Sequence, residues 1–183
     1  MSPRSPPYIF SVSWDAAEDF NVSTFNAAHG YYRQGLANLR SALEGLTFAA
    51  AFAKRQNEVG LHAWLSGERE APKFGNARDT LLSELGVDVT DVLKRLYKDL
   101  SGYVHSGQGG NAGLWDGSNG PIWVSDSFDL VYRCFRDVMA MCLILLGVGW
   151  PNFVLPRFIS ALLDTPGTAW TSAAQAALAA RTA

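Results

Sequence analysis

The chain has 183 residues and a formal net charge of −2, from 15 Lys+Arg against 17 Asp+Glu. Hydrophobic residues at 48% and charged residues at 17% exclude wholesale disorder and fit one globular domain with at most a small appendage. A generally basic nucleic-acid coat is excluded too, although a local basic stripe is not.

Residues 1–7 read as a disordered lead, with no long apolar run behind them and so no signal peptide. Tyr8 to Trp14 alternates, with Phe10, Val12 and Trp14 set against Ser11 and Ser13, which is the period of a half-buried strand. A second short β-like piece is Ile122-Trp123-Val124, and the two are expected to pair as a small ribbon. Everything else reads as helix and connection. From Tyr31 to about Gln56, apolar residues fall at Leu36, Leu39, Leu43, Leu46, Ala50 and Ala53, a packing seam between helices. Glu58 to Leu65 adds a short turn of helix, and Gly67 to Gly75 is a polar connection. Asn76 to Leu85 predicts a short helix closed by Gly86. Asp88 or Thr90 then caps a helix running to about His105, with Val89, Val92, Leu93, Leu96, Leu100 and Val104 inward.

Ser106 to Pro121 is a long loop with six glycines. It resembles a phosphate loop only superficially, because it follows no strand and lacks the Gly-Lys-Ser/Thr ending. Ser125 or Ser127 opens a helix from Phe128 to about Leu146; a further helical stretch starts near Pro151, and an Ala-rich tail occupies residues 166–183. Strand–helix alternation is missing, which excludes a parallel α/β sheet. The expected fold is all-α: an up-down bundle of four to five main helices over residues 8–165, with a small peripheral β ribbon.

Cys134 and Cys142 on one helix are about 12 Å apart along its axis, too far to pair. Two such thiols suit a reduced cytoplasmic protein. Val138 to Trp150 is the most apolar run, yet it is shorter than the roughly 20 residues that span a bilayer, so no membrane association is expected. The three histidines, His29, His62 and His105, lack metal-ligand spacing, and neither a metal nor a cofactor is expected. Trp64 and Trp115 lie in or beside polar connections, where aromatics either anchor interfaces or fold back on the core.

One constellation carries chemistry. Plotted at 100° per residue, Lys94, Lys98, Ser101 and His105 fall within one stripe of the 88–105 helix, away from its apolar side. Lysines hold phosphate oxygens as point charges, and a histidine moves protons near neutral pH. Such a stripe suits metal-independent RNA cleavage, in which a ribose 2′-oxygen attacks its own phosphate. His105, Lys98 and Ser101 are the catalytic candidates, and Lys94, Tyr103 and Arg40 the substrate-binding ones. Arg40 either pairs with Glu44 one turn on or enters the groove beside the stripe to add a guanidinium. Arg133 and Arg136 are further donors. The same lysines also suit a plain solvated face, and His105 suits a helix C-terminus for its dipole alone.

The run Leu96-Tyr97-Lys98-Asp99-Leu100-Ser101-Gly102-Tyr103-Val104-His105-Ser106 resembles the end of a helix in HEPN-type (higher eukaryotes and prokaryotes nucleotide-binding) bundles. Leu39-Arg40-Ser41-Ala42-Leu43-Glu44 resembles their "LR-x-x-LE" opening helix. The resemblance spans residues 30–146. It implies an all-α, commonly dimeric protein of bacterial defence, toxin–antitoxin or stress systems, acting on RNA as a metal-independent ribonuclease. The other outcome it implies is a non-catalytic helical module that dimerises and assembles a larger protein or nucleic-acid complex. The family signature is an arginine, four to six residues, then a histidine. Here that spacing back from His105 falls on Leu100, Asp99 or Lys98, and only Lys98 is cationic. A lysine lacks the planar fork that grips phosphate with two parallel hydrogen bonds.

Overall fold

A computed structural model describes residues 7–105 and 123–150 of the chain. They form five helices: α1 (Pro7–Ala28), α2 (Tyr32–Lys54), α3 (Glu58–Leu65), α4 (Phe74–Val104) and α5 (Ser125–Gly149). The architecture is the expected helical bundle. The expected ribbon is corrected: Tyr8 to Trp14 lies inside α1, and no strand occurs among the described residues. Its other half is truncated, since Ile122 lies outside the described residues and Trp123-Val124 is the extended lead into α5.

The physical reason for the error is visible in α1. Its buried residues are Ile9, Val12, Ala16, Phe20, Ser23 and Ala27, spaced three or four apart. Pro7 opens the helix, where its fixed φ and missing N–H cost nothing. Phe10 and Trp14 mimic a strand face with Val12, but in the helix they point away from it and are exposed. The alternation was thus two helical faces sampled in turn.

α2 is the central helix, packed against α1, α4 and α5, whereas α4 and α5 touch each other much less. Its seam holds: Leu36, Leu39, Leu43, Leu46 and Ala50 are all 0–2% exposed. Burying each leucine contributes roughly 1.5–3 kcal/mol. The seam is covered within the chain, so it leaves no apolar stripe of its own for a second copy. At the α1–α2–α5 crossing, a Cβ on Gly35 would sit 3.1 Å from the Ser23 carbonyl oxygen, which is why a glycine stands there.

α4 is two helices joined end to end. Gly86 interrupts it at φ 73°, ψ 167°, a conformation essentially reserved for glycine. The expected break is therefore at its expected residue. The capping differs: the Thr90 hydroxyl donates back to the Gly86 carbonyl at 2.7 Å rather than capping ahead. α3 is capped by Asn57, whose side chain accepts from the Gly60 N–H at 2.9 Å. α5 starts three residues earlier than expected and has no side-chain cap. The glycine-rich loop 106–121, the stretch from Pro151 and the 166–183 tail lie outside the described residues, as does the lead over residues 1–6.

Candidate functional site

α2 and α4 run antiparallel with a fixed register, and that register builds the site. Arg33 donates from Nε to the Val104 carbonyl at 3.0 Å, and its Nη2 donates to the same oxygen. Two helical turns on, Arg40 donates from Nη2 to the Tyr97 hydroxyl at 3.2 Å. Farther along, Lys54 pairs with Glu84. Arg33 and Arg40 share one face because seven residues nearly complete two turns.

The two arginines do different things. Arg40 is held in a half-buried nest: it also pairs with Glu44 at 3.1 Å, and its guanidinium lies over the Tyr97 ring, 5.2 Å from the centroid. Tyr97 in turn stacks flat on Phe74 at 3.8 Å. Burial works against the charge on Arg40, but Tyr97 and Glu44 outweigh it and raise its pKa. The pair with Glu44 is thus realised, and the guanidinium also reaches Tyr97 on α4. Arg33 is different. It closes the last turn of α4, where free carbonyls carry partial negative charge. That places a guanidinium one residue from His105.

His105 is the C-cap of α4 and is exposed; its backbone N–H donates to the Ser101 carbonyl at 3.1 Å. Lys94 and Lys98 are exposed on α4, while the inward residues Val89, Val92, Leu93 and Leu100 are buried. Ser101 stands apart from these. Its Oγ is enclosed by protein and has no hydrogen-bond partner, so the hydroxyl is not presented beside the amines. Tyr103 is half-buried toward α5, beside Cys134, Asp99 and Arg133. Burial first, then Cys134 and Asp99, raise its pKa against an opposing pull from Arg133. Arg133 bonds the Asp129 carbonyl of its own helix at 3.3 Å.

Arg33 is the residue that sequence reasoning missed. Its contact is 71 residues distant. The available signal was its spacing of seven from Arg40, which puts it on whichever face Arg40 occupies. Its neighbour Tyr32 acts likewise, accepting from the Val124 N–H through its hydroxyl at 2.6 Å. Tyr32 and Arg33 together therefore hold the end of α4 and the start of α5 to the first turn of α2.

A groove of about 290 Å³ lies on another side of α2, between α1, α2 and α3 and away from His105. Trp64 folds back, edge-on to Phe48 and stacked over Phe52; Trp115 lies outside the described residues. Among the described residues no three His, Cys, Asp or Glu side chains are grouped to hold a metal ion. No described helix is long and apolar enough to cross a membrane. No family model, curated protein or solved structure matches the chain.

Proposed function

We propose that this is a HEPN-like helical protein that acts on RNA as a metal-independent endoribonuclease, serving a bacterial defence, toxin–antitoxin or stress system in the cytoplasm. The observation that carries the reading is the Arg33 guanidinium fixed on the Val104 carbonyl, next to exposed His105. The family signature asks for an arginine on the histidine's own helix. Here α2 supplies one across the helix pair instead. Two of its nitrogens are engaged on the carbonyl, which leaves Nη1 for a phosphate oxygen.

In this mechanism His105 accepts the proton of a ribose 2′-hydroxyl. The 2′-oxygen attacks the adjacent phosphorus, the P–O5′ bond breaks, the 5′-oxygen takes a proton from water, and a 2′,3′-cyclic phosphate remains. Lys98 and Lys94 hold the phosphate as point charges, and Arg33 adds a donor where negative charge develops. Tyr103, half-buried toward α5, steadies the last turn of α4, and Arg40 buttresses the same helix through Tyr97. His105→Ala is expected to abolish cleavage of a mixed RNA pool while circular dichroism and the unfolding midpoint stay unchanged. Wild-type protein that leaves diverse RNAs uncut, with and without chelator, overturns the reading.

A second reading, a non-catalytic interaction module that dimerises or recruits a protein partner, is favoured by one separate observation. The outer face of α1 carries uncovered aromatic side chains. A phenotype indifferent to His105→Ala, together with a stable co-purifying partner, would select it.

A further inference from the structure

We infer that the groove between α1, α2 and α3 receives a lysine or arginine side chain from a basic, amphipathic helical segment of a partner protein. The groove is lined by Asp15 and Asp19 of α1 and by Trp64 and Leu65 of α3. Between them α2 contributes the small residues Ala42 and Gly45 to the lining. A Cβ on Gly45 would meet nothing within 4 Å, so the lining is open at that position. Asp19 is fixed by a hydrogen bond from Asn38 Nδ2 at 3.2 Å, and Trp64 is fixed by Phe48 and Phe52. A fixed carboxylate and a fixed indole lining one groove are the groups that take a cation with an aliphatic stem.

Charge along α1 decides the partner. Pro7–Ala28 contains Asp15, Glu18 and Asp19 and no lysine or arginine. Beside these acids the same helix leaves Phe10, Trp14 and Phe25 exposed at 65%, 74% and 60%. Phe10, Trp14 and Phe25 fall within one 60° sector at helical spacing, with Glu18 and Asp15 leading round from that sector to the groove. Large aromatics left in water beside single-sign charge mark an interaction surface. A second copy of α1 would set acid against acid, which disfavours self-association here. A helix with apolar residues on one face and lysines on its shoulder satisfies both the aromatic stripe and the groove.

The test is binding of a synthetic amphipathic leucine/lysine peptide to the whole protein, with the leucine/glutamate version as its mate. The lysine peptide is expected to bind and to weaken as salt is raised; the glutamate peptide is not. Asp15→Asn with Asp19→Asn, and separately Gly45→Leu, which fills that open position, are each expected to weaken binding about tenfold or more. Trp14→Ser should do the same, while Asp129→Asn on α5 leaves the affinity unchanged. Equal binding of both peptides, indifference to the groove variants, or equal weakening by Asp129→Asn overturns the inference. So does saturation by n-butylamine without any gain from the peptide, or wild-type dimerisation that Trp14→Ser abolishes. RNA cleavage is a separate readout, so the outcome here is independent of the ribonuclease proposal.

Discussion

Arg33 and Val104, 71 residues apart, are joined by two hydrogen bonds from one guanidinium to one carbonyl. The bond closes the C-terminus of α4 with a cation from the first turn of α2. It does structural work by satisfying an end carbonyl that no helical N–H reaches. It also brings a guanidinium to the carbonyl of the residue preceding His105, which the in-helix spacing of the sequence does not provide.

Replacing Arg33 separates these two roles. Arg33→Ala is expected to lower stability by roughly 1–2 kcal/mol, the worth of a partly exposed charged hydrogen bond. Arg33→Lys restores the charge but not the fork, so it should recover part of the stability. Under the ribonuclease proposal both variants lose cleavage, the alanine variant more. Thermal unfolding and RNA cleavage measured on the same preparations check this. Full cleavage by Arg33→Ala would remove Arg33 from the site.

Tyr97 makes its contributions through distinct atoms, which makes it a sharp probe of how α2 holds α4. Its hydroxyl accepts from Arg40, its ring lies under the guanidinium, and its other face stacks on Phe74. Tyr97→Phe removes only the acceptor and is expected to cost about 0.5–1.5 kcal/mol. Tyr97→Ala also removes the stack and the cation–π contact and should cost roughly 2–4 kcal/mol. Urea midpoints at constant m-value check both; equal losses would mean that the ring contributes nothing beyond its hydroxyl.

The parts of this fold that were legible in the sequence are those set by local periodicity. The leucine seam of α2 and the break at Gly86 follow from spacing and from backbone freedom alone. The start of α1 reads as a strand because the five residues Phe10 to Trp14 alternate large apolar side chains with Ser, which fits both periods, and only burial distinguishes them. Helical geometry puts Lys94 and Lys98 on an exposed side of α4, whereas His105 is the extended C-cap just past the helix. The enclosed Ser101 hydroxyl was not legible, because enclosure depends on what packs across from it. Arg33 was invisible for the same reason, since the register between α2 and α4 is a tertiary quantity. Sequence spacing could place Arg33 with Arg40, but not either of them against α4.

Two thiols, Cys142 buried and Cys134 partly buried, give the protein an alkaline limit. Burial first, then Asp137 and Asp99, push the Cys134 thiol up to about 11 against a weaker pull from Arg133. Burial raises Cys142 as well. An unfolded thiol titrates at about 8.5. Below that pH both states hold the proton, and the thiols contribute their full stability. Above it the unfolded chain releases protons that the fold retains, so stability falls as pH rises from about 8.5 toward 11. Each such thiol steepens the fall by up to roughly 1.4 kcal/mol per pH unit. Urea unfolding at pH 8 and pH 10 should show the loss, and Cys134→Ala with Cys142→Ala should flatten it. The same shifts predict slow alkylation of the native protein by iodoacetamide at pH 8 and rapid alkylation in urea. Fast native labelling would contradict the burial of Cys142 and the partial burial of Cys134.

Gly86 offers the cleanest separation of backbone strain from packing. A Cβ there meets no atom within 4 Å, so an added methyl has room. The backbone, however, sits at φ 73° and ψ 167°, where side-chain-bearing residues are strained regardless of space. Gly86→Ala is therefore expected to destabilise by about 1–3 kcal/mol with no cavity and no clash. An ordinary exposed helix position would respond in the opposite direction, since alanine is the better helix former by about 1 kcal/mol. The sign of the change thus reports whether α4 is broken in solution. A loss confirms two helices meeting at Gly86, the second of which carries Lys94 and Lys98 and ends at the His105 C-cap. A gain would mean one continuous helix, and the two lysines would swing with it.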